Sequence, residues 1–148
     1  MHPRSLLLDR LRRIGCVWLL GAIVAGPAIA PAAEFMAGAD VSALAVLEDH
    51  GAVYRDGGQA GDALSMFADH GVNWFRLRLF VDPNGQDVVV NDLAYTLDMA
   101  RRVQAAGGKL LLDLHYSDTW SDPGQQTKPA AWNGLNFSQL QQRVHDYT

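Results

Sequence analysis

Three strand-and-helix units follow one another between residues 35 and 148 at a nearly constant spacing. Apolar or β-favouring segments begin near residues 35, 73 and 109, and each precedes apolar residues at intervals of three and four. The third segment, KLLLDLHY, is apolar on both faces at its start, which predicts a strand buried in a parallel sheet. A spacing of about 36 residues suits a (β/α)8 barrel, which averages about 250 residues over eight units. We therefore predict an α/β fold in which this chain covers about the first three βα units of a TIM barrel.

A doubly wound open sheet has the same rhythm of strands and helices. The phosphate-binding fingerprints of that class, G-x-G-x-x-G and G-x-x-x-x-G-K-[ST], are absent from the sequence. Three units alone leave a strand edge exposed in either architecture. We therefore expect residues 33–148 to be the N-terminal part of a longer barrel domain.

The apolar periodicity predicts the individual elements. Gly71 and the pair Gly107-Gly108 stand where helices are expected to end, and Asn91 or Asp92 can cap a helix that begins after it. The predicted elements are a strand at 35–40, a short helix after it, a helix at 58–70 with Ala60, Ala63, Leu64 and Phe67 on one face, a strand at 72–80, a helix after residue 92, a strand from Lys109 and a helix from about Phe137 with Leu140, Val144 and Tyr147 on one stripe.

The first 32 residues have the three-part layout of a secretory signal. Four arginines precede an apolar run from 14 to 24, and small residues follow it up to Ala33. Glycines and prolines interrupt the run, and a span needs about twenty apolar residues, so a transmembrane anchor is the weaker alternative. Cys16, the one cysteine, lies inside this segment. We expect a secreted or periplasmic protein without a stable membrane anchor.

The composition excludes one class of partner. The chain is 49% hydrophobic with a net charge of −4, and its basic residues form no stripe beyond the first thirteen positions. A phosphate backbone requires such a stripe, so nucleic acid is not expected to bind.

Polar side chains collect where the three predicted strands end, which is the edge at which βα folds bind ligands. Asp40 ends the first strand, and Arg76 and Arg78 alternate in the second, so both point to one face. Two buried arginines need carboxylates nearby to offset their desolvation. The third strand ends in Asp113 and His115.

The loop after the third strand carries two tryptophans. An indole on a loop stiffened by proline can stack on the flat face of a sugar ring. The alternative is an apolar plug, in which the indole covers the mouth of the barrel. For Trp132 the two interpretations are equally supported. His115 admits three interpretations: a core histidine, a metal ligand together with Asp113, or a hydrogen-bond donor to a ligand oxygen. The last is favoured, because Asp113-x-His115 supplies only two metal ligands and no second cluster of His, Asp or Cys accompanies it. No metal is therefore expected.

Other catalytic signatures are absent: the sequence contains no G-x-S-x-G, H-E-x-x-H or C-x-x-C. Its two glutamates are Glu34, which borders the signal segment, and Glu48, which lies in a predicted helix. Neither is placed like a catalytic carboxylate.

Several segments closely resemble glycoside hydrolase family 53, the endo-β-1,4-galactanases. They are GADVSALAVLEDHGAVYRDGGQ, HGVNWFRLRLFVDP and ARRVQAAGGKLLLDLHYSDTWSDPGQQTKPAAW, followed by the closing VHDYT. The resemblance implies a secreted (β/α)8 enzyme that cuts the β-1,4-galactan side chains of pectin, called type I arabinogalactan, with retention of configuration. It implies a polysaccharide substrate, no cofactor in this part of the chain and a monomer at full length, and it leaves calcium in later loops open.

The resemblance also assigns roles to residues of the cleft. Arg76 resembles the arginine that supports the nucleophile, and His115 the histidine of the innermost sugar site. Asp118 and Trp120 resemble its loop partners, and Asp40 the acid beneath the cleft. Arg78 is added as a substrate-binding candidate from its position beside Arg76.

The family's two catalytic glutamates end strands four and seven of the barrel, so both are expected beyond Thr148 and none in this chain. Two other functions stay open: a sugar-binding barrel without catalysis, and a related barrel glycosidase that acts on mannan or glucan.

Overall fold

The computed structural model describes residues 34–148, so the predicted signal segment lies outside the described residues. The elements in chain order are β1 (Gly38–Asp40), α1 (Leu44–Asp49), β2 (Arg55–Asp56), β3 (Gln59–Ala60), α2 (Ala63–Asp69), β4 (Trp74–Leu79), α3 (Leu93–Ala105), β5 (Lys109–Leu114), a 3-10 helix (Ala130–Trp132) and α4 (Phe137–Tyr147). The strands and helices predicted around residues 40, 75, 100, 110 and 140 are thereby confirmed, with shorter bounds.

One parallel sheet contains β1, β4 and β5 in that order. Gly38 lies opposite Trp74, which in turn lies opposite Lys109. Helices connect consecutive strands of the sheet, as expected for parallel neighbours. This is the order of strands predicted for the first three units of a barrel.

The two faces of β4 differ as the alternation in its sequence predicts. Phe75, Leu77 and Leu79 are buried, whereas Arg76 and Arg78 alternate with them on the opposite, half-buried face. The core joins Phe75 and Leu77 to apolar side chains from the three helices and from the loop after β1: Leu44, Ala63, Leu64, Met99 and Val103 in the helices and Val41 in the loop. The helices therefore cover one face of the sheet and leave the arginine face to the interior side of the barrel.

The helix predicted from residue 58 begins later, because a β-hairpin of β2 and β3 occupies residues 55–60. Gly57 and Gly58 form its two-residue turn with φ angles of 52° and 84°, which glycine adopts without steric cost. Ala60 consequently belongs to β3 and not to the helical face, which corrects that part of the prediction. The helix α2 starts after Asp62, whose side chain accepts a hydrogen bond from the main-chain N–H of Ser65 at 2.8 Å.

The two candidates for the cap of α3 have different roles. Asp92 is the N-cap and accepts from the main-chain N–H of Tyr95 at 2.8 Å. Asn91 is buried and donates from its side chain to the carbonyl oxygen of Ser42 at 2.7 Å. Asn91 therefore ties the start of α3 to the loop after β1.

The burial expected for β5 differs from that in the structure. Leu110, Leu111 and Leu112 are 39%, 46% and 43% exposed. Among the described residues β5 pairs only with β4. Its leucines are therefore less buried than they would be in a strand with a neighbour on each side. The parallel pairing is confirmed, and the burial on both faces is not.

The helix α4 is fixed at both ends. Asn136 and Gln139 form a reciprocal capping box at its start. At its end the hydroxyl of Tyr147 donates to the carbonyl oxygen of Leu79 at 3.0 Å. Burial of that hydroxyl, followed by the charges of Tyr116 and Asp118, raises the pKa of Tyr147 to about 12. The hydroxyl therefore remains a donor at neutral pH, and it anchors α4 to the end of β4.

Gly108 should be the least replaceable glycine between α3 and β5. A Cβ atom there would lie 2.4 Å from two ring carbons of Phe75 and 3.2 Å from Val103. We expect Gly108→Ala to lower the free energy of unfolding of the whole protein by about 1–3 kcal/mol through overpacking, as measured by urea denaturation. Gly134→Ala is the matched control, because a Cβ atom at Gly134 meets nothing within 4 Å. Equal stability of the two variants would contradict this packing.

None of the helices within residues 34–148 combines the length and the apolar character that crossing a bilayer requires.

Candidate functional site

The polar residues predicted at the strand ends lie together at the carboxyl edge of the sheet. The register places Asp40 of β1 opposite Arg76 of β4, and Arg78 opposite Asp113 of β5. His115 follows β5 directly, and its main-chain N–H donates to Leu79 at 2.9 Å. Side chains from three separate strands thus meet on one face, because parallel strands end at the same edge.

Two arginines and two aspartates form a charge-balanced network at this edge. Arg76 donates from Nη1 to Oδ2 of Asp40 at 2.6 Å and from Nη2 to Oδ2 of Asp113. Arg78 donates from Nη2 to the same oxygen of Asp40 at 2.7 Å. The expectation that carboxylates accompany the two arginines is confirmed. The network holds the guanidinium of Arg76 in a fixed orientation between two strands, because each of its two Nη groups has its own carboxylate partner.

Asp40 is held in its ionised form. Burial raises the pKa of Asp40, but hydrogen bonds from the side chain and main chain of Ser42 and the guanidinium groups of Arg78 and Arg76 outweigh burial, so the pKa lies below its ordinary value. The hydroxyl of Ser42 donates to Oδ1 at 2.7 Å. A carboxylate with these partners does not supply a proton at neutral pH, so Asp40 supports the site and is unsuited to acid catalysis.

His115 is 8% exposed and continues the network. Its Nε2 lies 2.9 Å from Oδ2 of Asp113, and its ring packs edge-on against Phe80 at 5.0 Å. Because a carboxylate only accepts, Nε2 carries the proton, and this assignment follows from the hydrogen bond. Within residues 34–148 the other nitrogen, Nδ1, has no partner. Donation by His115 to a ligand oxygen stays a prediction.

The two tryptophans of the loop have different environments. Trp120 is 38% exposed, and its ring lies 4.3 Å from the guanidinium carbon of Arg78. Trp132 is 3% exposed and packs edge-on against Tyr147 at 5.9 Å. Trp120 therefore keeps surface for a ligand, and the burial of Trp132 favours the plug over the stacking platform.

Asp118 organises the loops around the cleft. Its Oδ1 accepts from the main-chain N–H of Asp82 at 3.1 Å, and its Oδ2 accepts from that of Ala130 at 2.8 Å. Both carboxylate oxygens are thus engaged with main chain from the loops that follow β4 and β5. Contact between Asp118 and a sugar stays a prediction.

An open cleft of about 580 Å³ lies beside the network. Its lining includes Arg76 and Asp113 from the sheet and His115 directly after it, together with Gln126, Lys128 and Trp132 from the loop after β5; Trp120 is not among the lining residues. This volume falls in the range of small-molecule sites. Gln126 and Lys128 were not predicted as site residues, because isolated polar residues in a loop carry no periodic signal.

Asp113 is more central than the sequence suggested, since one of its oxygens serves both Arg76 and His115.

Within the described part of the chain, no three His, Cys, Asp or Glu side chains are grouped so that they could hold a metal ion.

Both glutamates lie away from this edge. Glu34 pairs with Lys109, the first residue of β5, and accepts from Asn73 at 3.0 Å. Glu48 pairs with Arg102 of α3 at 2.7 Å on the helical side of the sheet. Neither glutamate is among the residues that line the cleft, and the absence of a catalytic role for them stays a prediction.

Comparisons with known proteins give consistent results. The sequence profile described as Glycosyl hydrolase family 53 matches residues 36–148. The probable arabinogalactan endo-beta-1,4-galactanase A of Aspergillus terreus is 45% identical over 121 residues, which cover 81% of this chain and 34% of the relative. The arabinogalactan endo-beta-1,4-galactanase of Cellvibrio japonicus is 38% identical over 131 residues, which cover 88% and 34%.

Solved structures resemble the chain to the same extent. The catalytic domain of a family 53 protein from Ignisphaera aggregans gives a TM-score of 0.70 at 36% identity, with 76% of this chain and 33% of the other covered. A structure from a study of two fungal beta-1,4-galactanases gives a TM-score of 0.69 at 36% identity, with 74% and 32% covered. The chain spans about a third of the length of the relatives it matches.

Proposed function

The chain belongs to glycosyl hydrolase family 53, and from this premise we propose that the whole protein is an endo-β-1,4-galactanase acting on type I arabinogalactan. The observation that carries the proposal is the similarity to galactanases over 81% of the chain. The network at the carboxyl edge supports it, since polar groups gathered there are what a barrel glycosidase presents to a sugar.

Each residue of the edge has a proposed role in that reaction. Arg76 balances the charge of the nucleophile and orients it. Asp40 holds Arg76 in place through their ion pair. His115 contacts the sugar at the innermost site, and Trp120 stacks on a ring face. Asp118 keeps the surrounding loops in place through its two main-chain contacts.

The proposed chemistry is hydrolysis with retention of configuration. It needs two carboxyl groups about 5–5.5 Å apart, one that protonates the leaving oxygen and one that attacks the anomeric carbon. Asp40 and Asp113 are already bonded to arginines, and the two glutamates lie elsewhere. We therefore propose that both catalytic glutamates belong to later strands of the barrel, beyond Thr148.

The decisive experiment is an assay of the intact gene product on pectic galactan, with mannan and β-glucan as competing substrates. The proposal requires release of galacto-oligosaccharides, and NMR of the first product should show the β anomer. Preference for mannan or glucan would favour the related glycosidase. Tight binding of galactan without turnover would favour the sugar-binding barrel.

Trp120→Ala should weaken binding of galacto-oligosaccharides by the whole enzyme by about 1–3 kcal/mol, because it removes apolar contact area without touching a carboxylate. The measurement is isothermal titration with galactotetraose in whole enzyme whose catalytic acid has been replaced, so that the ligand is not hydrolysed. Trp74→Ala is the matched control, because Trp74 begins β4 at the opposite, amino end of the sheet and does not line the cleft. Unchanged affinity in Trp120→Ala would remove Trp120 from the sugar site.

We also propose that the protein is exported, with residues 1–32 removed as a signal. The arginine-rich start, the interrupted apolar run and the small residues before Glu34 support this. Mass spectrometry of the protein from culture medium or periplasm should show an N-terminus near Ala33 or Glu34. Recovery of the chain with Met1 in a membrane fraction would contradict export.

A further inference from the structure

Arg78 has its charge satisfied inside the protein. Its side chain is 18% exposed, and its Nη2 lies 2.7 Å from Asp40. The guanidinium carbon lies over the ring of Trp120, 4.3 Å from its centroid. Arg76, two residues earlier, is 39% exposed and lines the cleft, whereas neither Arg78 nor Trp120 lines it. Trp120 contacts the lining through the ring of His115. The side chain of Arg78 is thus mostly buried, and it contacts an aromatic residue, Trp120, that is exposed to solvent.

Trp120 depends on side-chain contacts for its position. Among the described residues its main chain makes no hydrogen bond, although its loop neighbours do. The indole packs edge-on against Phe80 at 5.9 Å and His115 at 6.4 Å, and it meets Arg78. Of these three contacts, only Arg78 is itself fixed by an ion pair to another strand, through Asp40. An arginine over an aromatic face is both attractive and directional.

We infer that Arg78 is a positioning residue that holds the indole of Trp120 in its sugar-stacking orientation and does not contact the sugar itself. The inference rests on the proposed function and deepens it by assigning the two arginines of β4 different tasks. Arg76 acts on turnover, and Arg78 acts on substrate affinity through Trp120. Asp40 serves both arginines with one oxygen, so a useful variant of Arg78 has to keep a cation there.

Arg78→Lys in the whole enzyme is that variant, because an ammonium keeps the pair with Asp40 but loses the planar stack on the indole. We expect KM for galactotetraose to rise about 3- to 10-fold with kcat within about twofold of the parent. In a Trp120→Leu background the same change should leave KM unaltered. Arg102→Lys is the control, since Arg102 is likewise held by carboxylate partners, Glu48 and Asp62, but outside the cleft, and it should change neither constant.

Two kinetic outcomes would overturn the inference. A rise in KM of the same size in the Trp120→Leu background would mean that Arg78 contacts the sugar directly. A fall in kcat with KM unchanged would mean that it acts with Arg76.

A second readout separates this inference from the proposed function. Without sugar, acrylamide should quench tryptophan fluorescence more strongly in Arg78→Lys than in the parent enzyme. In the Trp120→Leu background, Arg78→Lys should cause no such increase. Increased quenching in an enzyme that does not act on galactan would support the positioning role and reject galactan as the substrate. Unchanged quenching, with galactan hydrolysed normally, would reject the positioning role.

Discussion

Replacing Arg76 with alanine in the whole enzyme should lower kcat on β-1,4-galactan by about 10²- to 10³-fold, the size expected when one preorganised charge is removed from a transition state. KM should change much less, because the interaction is made with the reacting groups. Arg76 is suited to this role by its two partners, Asp40 and Asp113, which fix the guanidinium at the carboxyl edge while leaving 39% of the side chain exposed. Steady-state kinetics on a defined galacto-oligosaccharide is the measurement.

Two further variants separate this catalytic effect from damage to the fold. Arg76→Lys keeps one charge but cannot span both aspartates, so it should recover only part of the lost activity. Arg102→Ala also removes an arginine with two carboxylate partners, but from the helical side of the sheet, and kcat should stay near that of the parent. An Arg76→Ala enzyme with normal kcat would remove Arg76 from the catalytic machinery.

The position of Arg76 could be predicted from the sequence because a strand has a period of two. Alternation with Phe75 and Leu77 is a local property, and it correctly indicated which face of β4 is polar. The partners of Arg76 could not be read in the same way. That Asp113 lies within reach of Arg76 depends on the register between β4 and β5, which the sequence of either strand alone does not specify.

The hairpin at residues 55–60 had a local signal that was outweighed. The pair Gly57-Gly58 between short polar segments is typical of a two-residue hairpin turn, and both glycines adopt positive φ angles. Counting apolar residues at helical spacing from Ala60 onwards extended the predicted helix backwards over this turn. The start of α2 follows instead from Asp62, which is positioned to cap it.

Burial was the property least accessible from sequence. Leu110 to Leu112 and Trp132 are all apolar, yet the leucines are about half exposed and Trp132 is buried. Their exposure depends on which elements pack against them, and that is a tertiary property. For the same reason the sequence left the two interpretations of Trp132 equal, and the contact with Tyr147 distinguishes them.

The 148-residue chain, expressed as it stands, should show no hydrolysis of galactan. The reaction needs one carboxyl group that stays protonated and one that is free to attack, and neither the two aspartates of the network nor the two glutamates are suited to these tasks. Asp40 has a lowered pKa and is bonded to two arginines, and Asp113 is shared by Arg76 and His115. The glutamates are bound to Lys109 and Arg102 away from the edge.

A reducing-sugar assay on lupin or potato galactan tests this, with the Cellvibrio japonicus galactanase as the positive control. The purified chain should give no more product than buffer over a period in which the control digests the substrate. Circular dichroism of the same sample is needed alongside, because exposed leucines on β5 favour association of the isolated chain, and an aggregated sample would be inactive for that reason alone. Turnover that persists through repurification and disappears in Asp113→Asn would place the chemistry on the network, with Asp113 as a reacting group and Arg76 as the residue that tunes it.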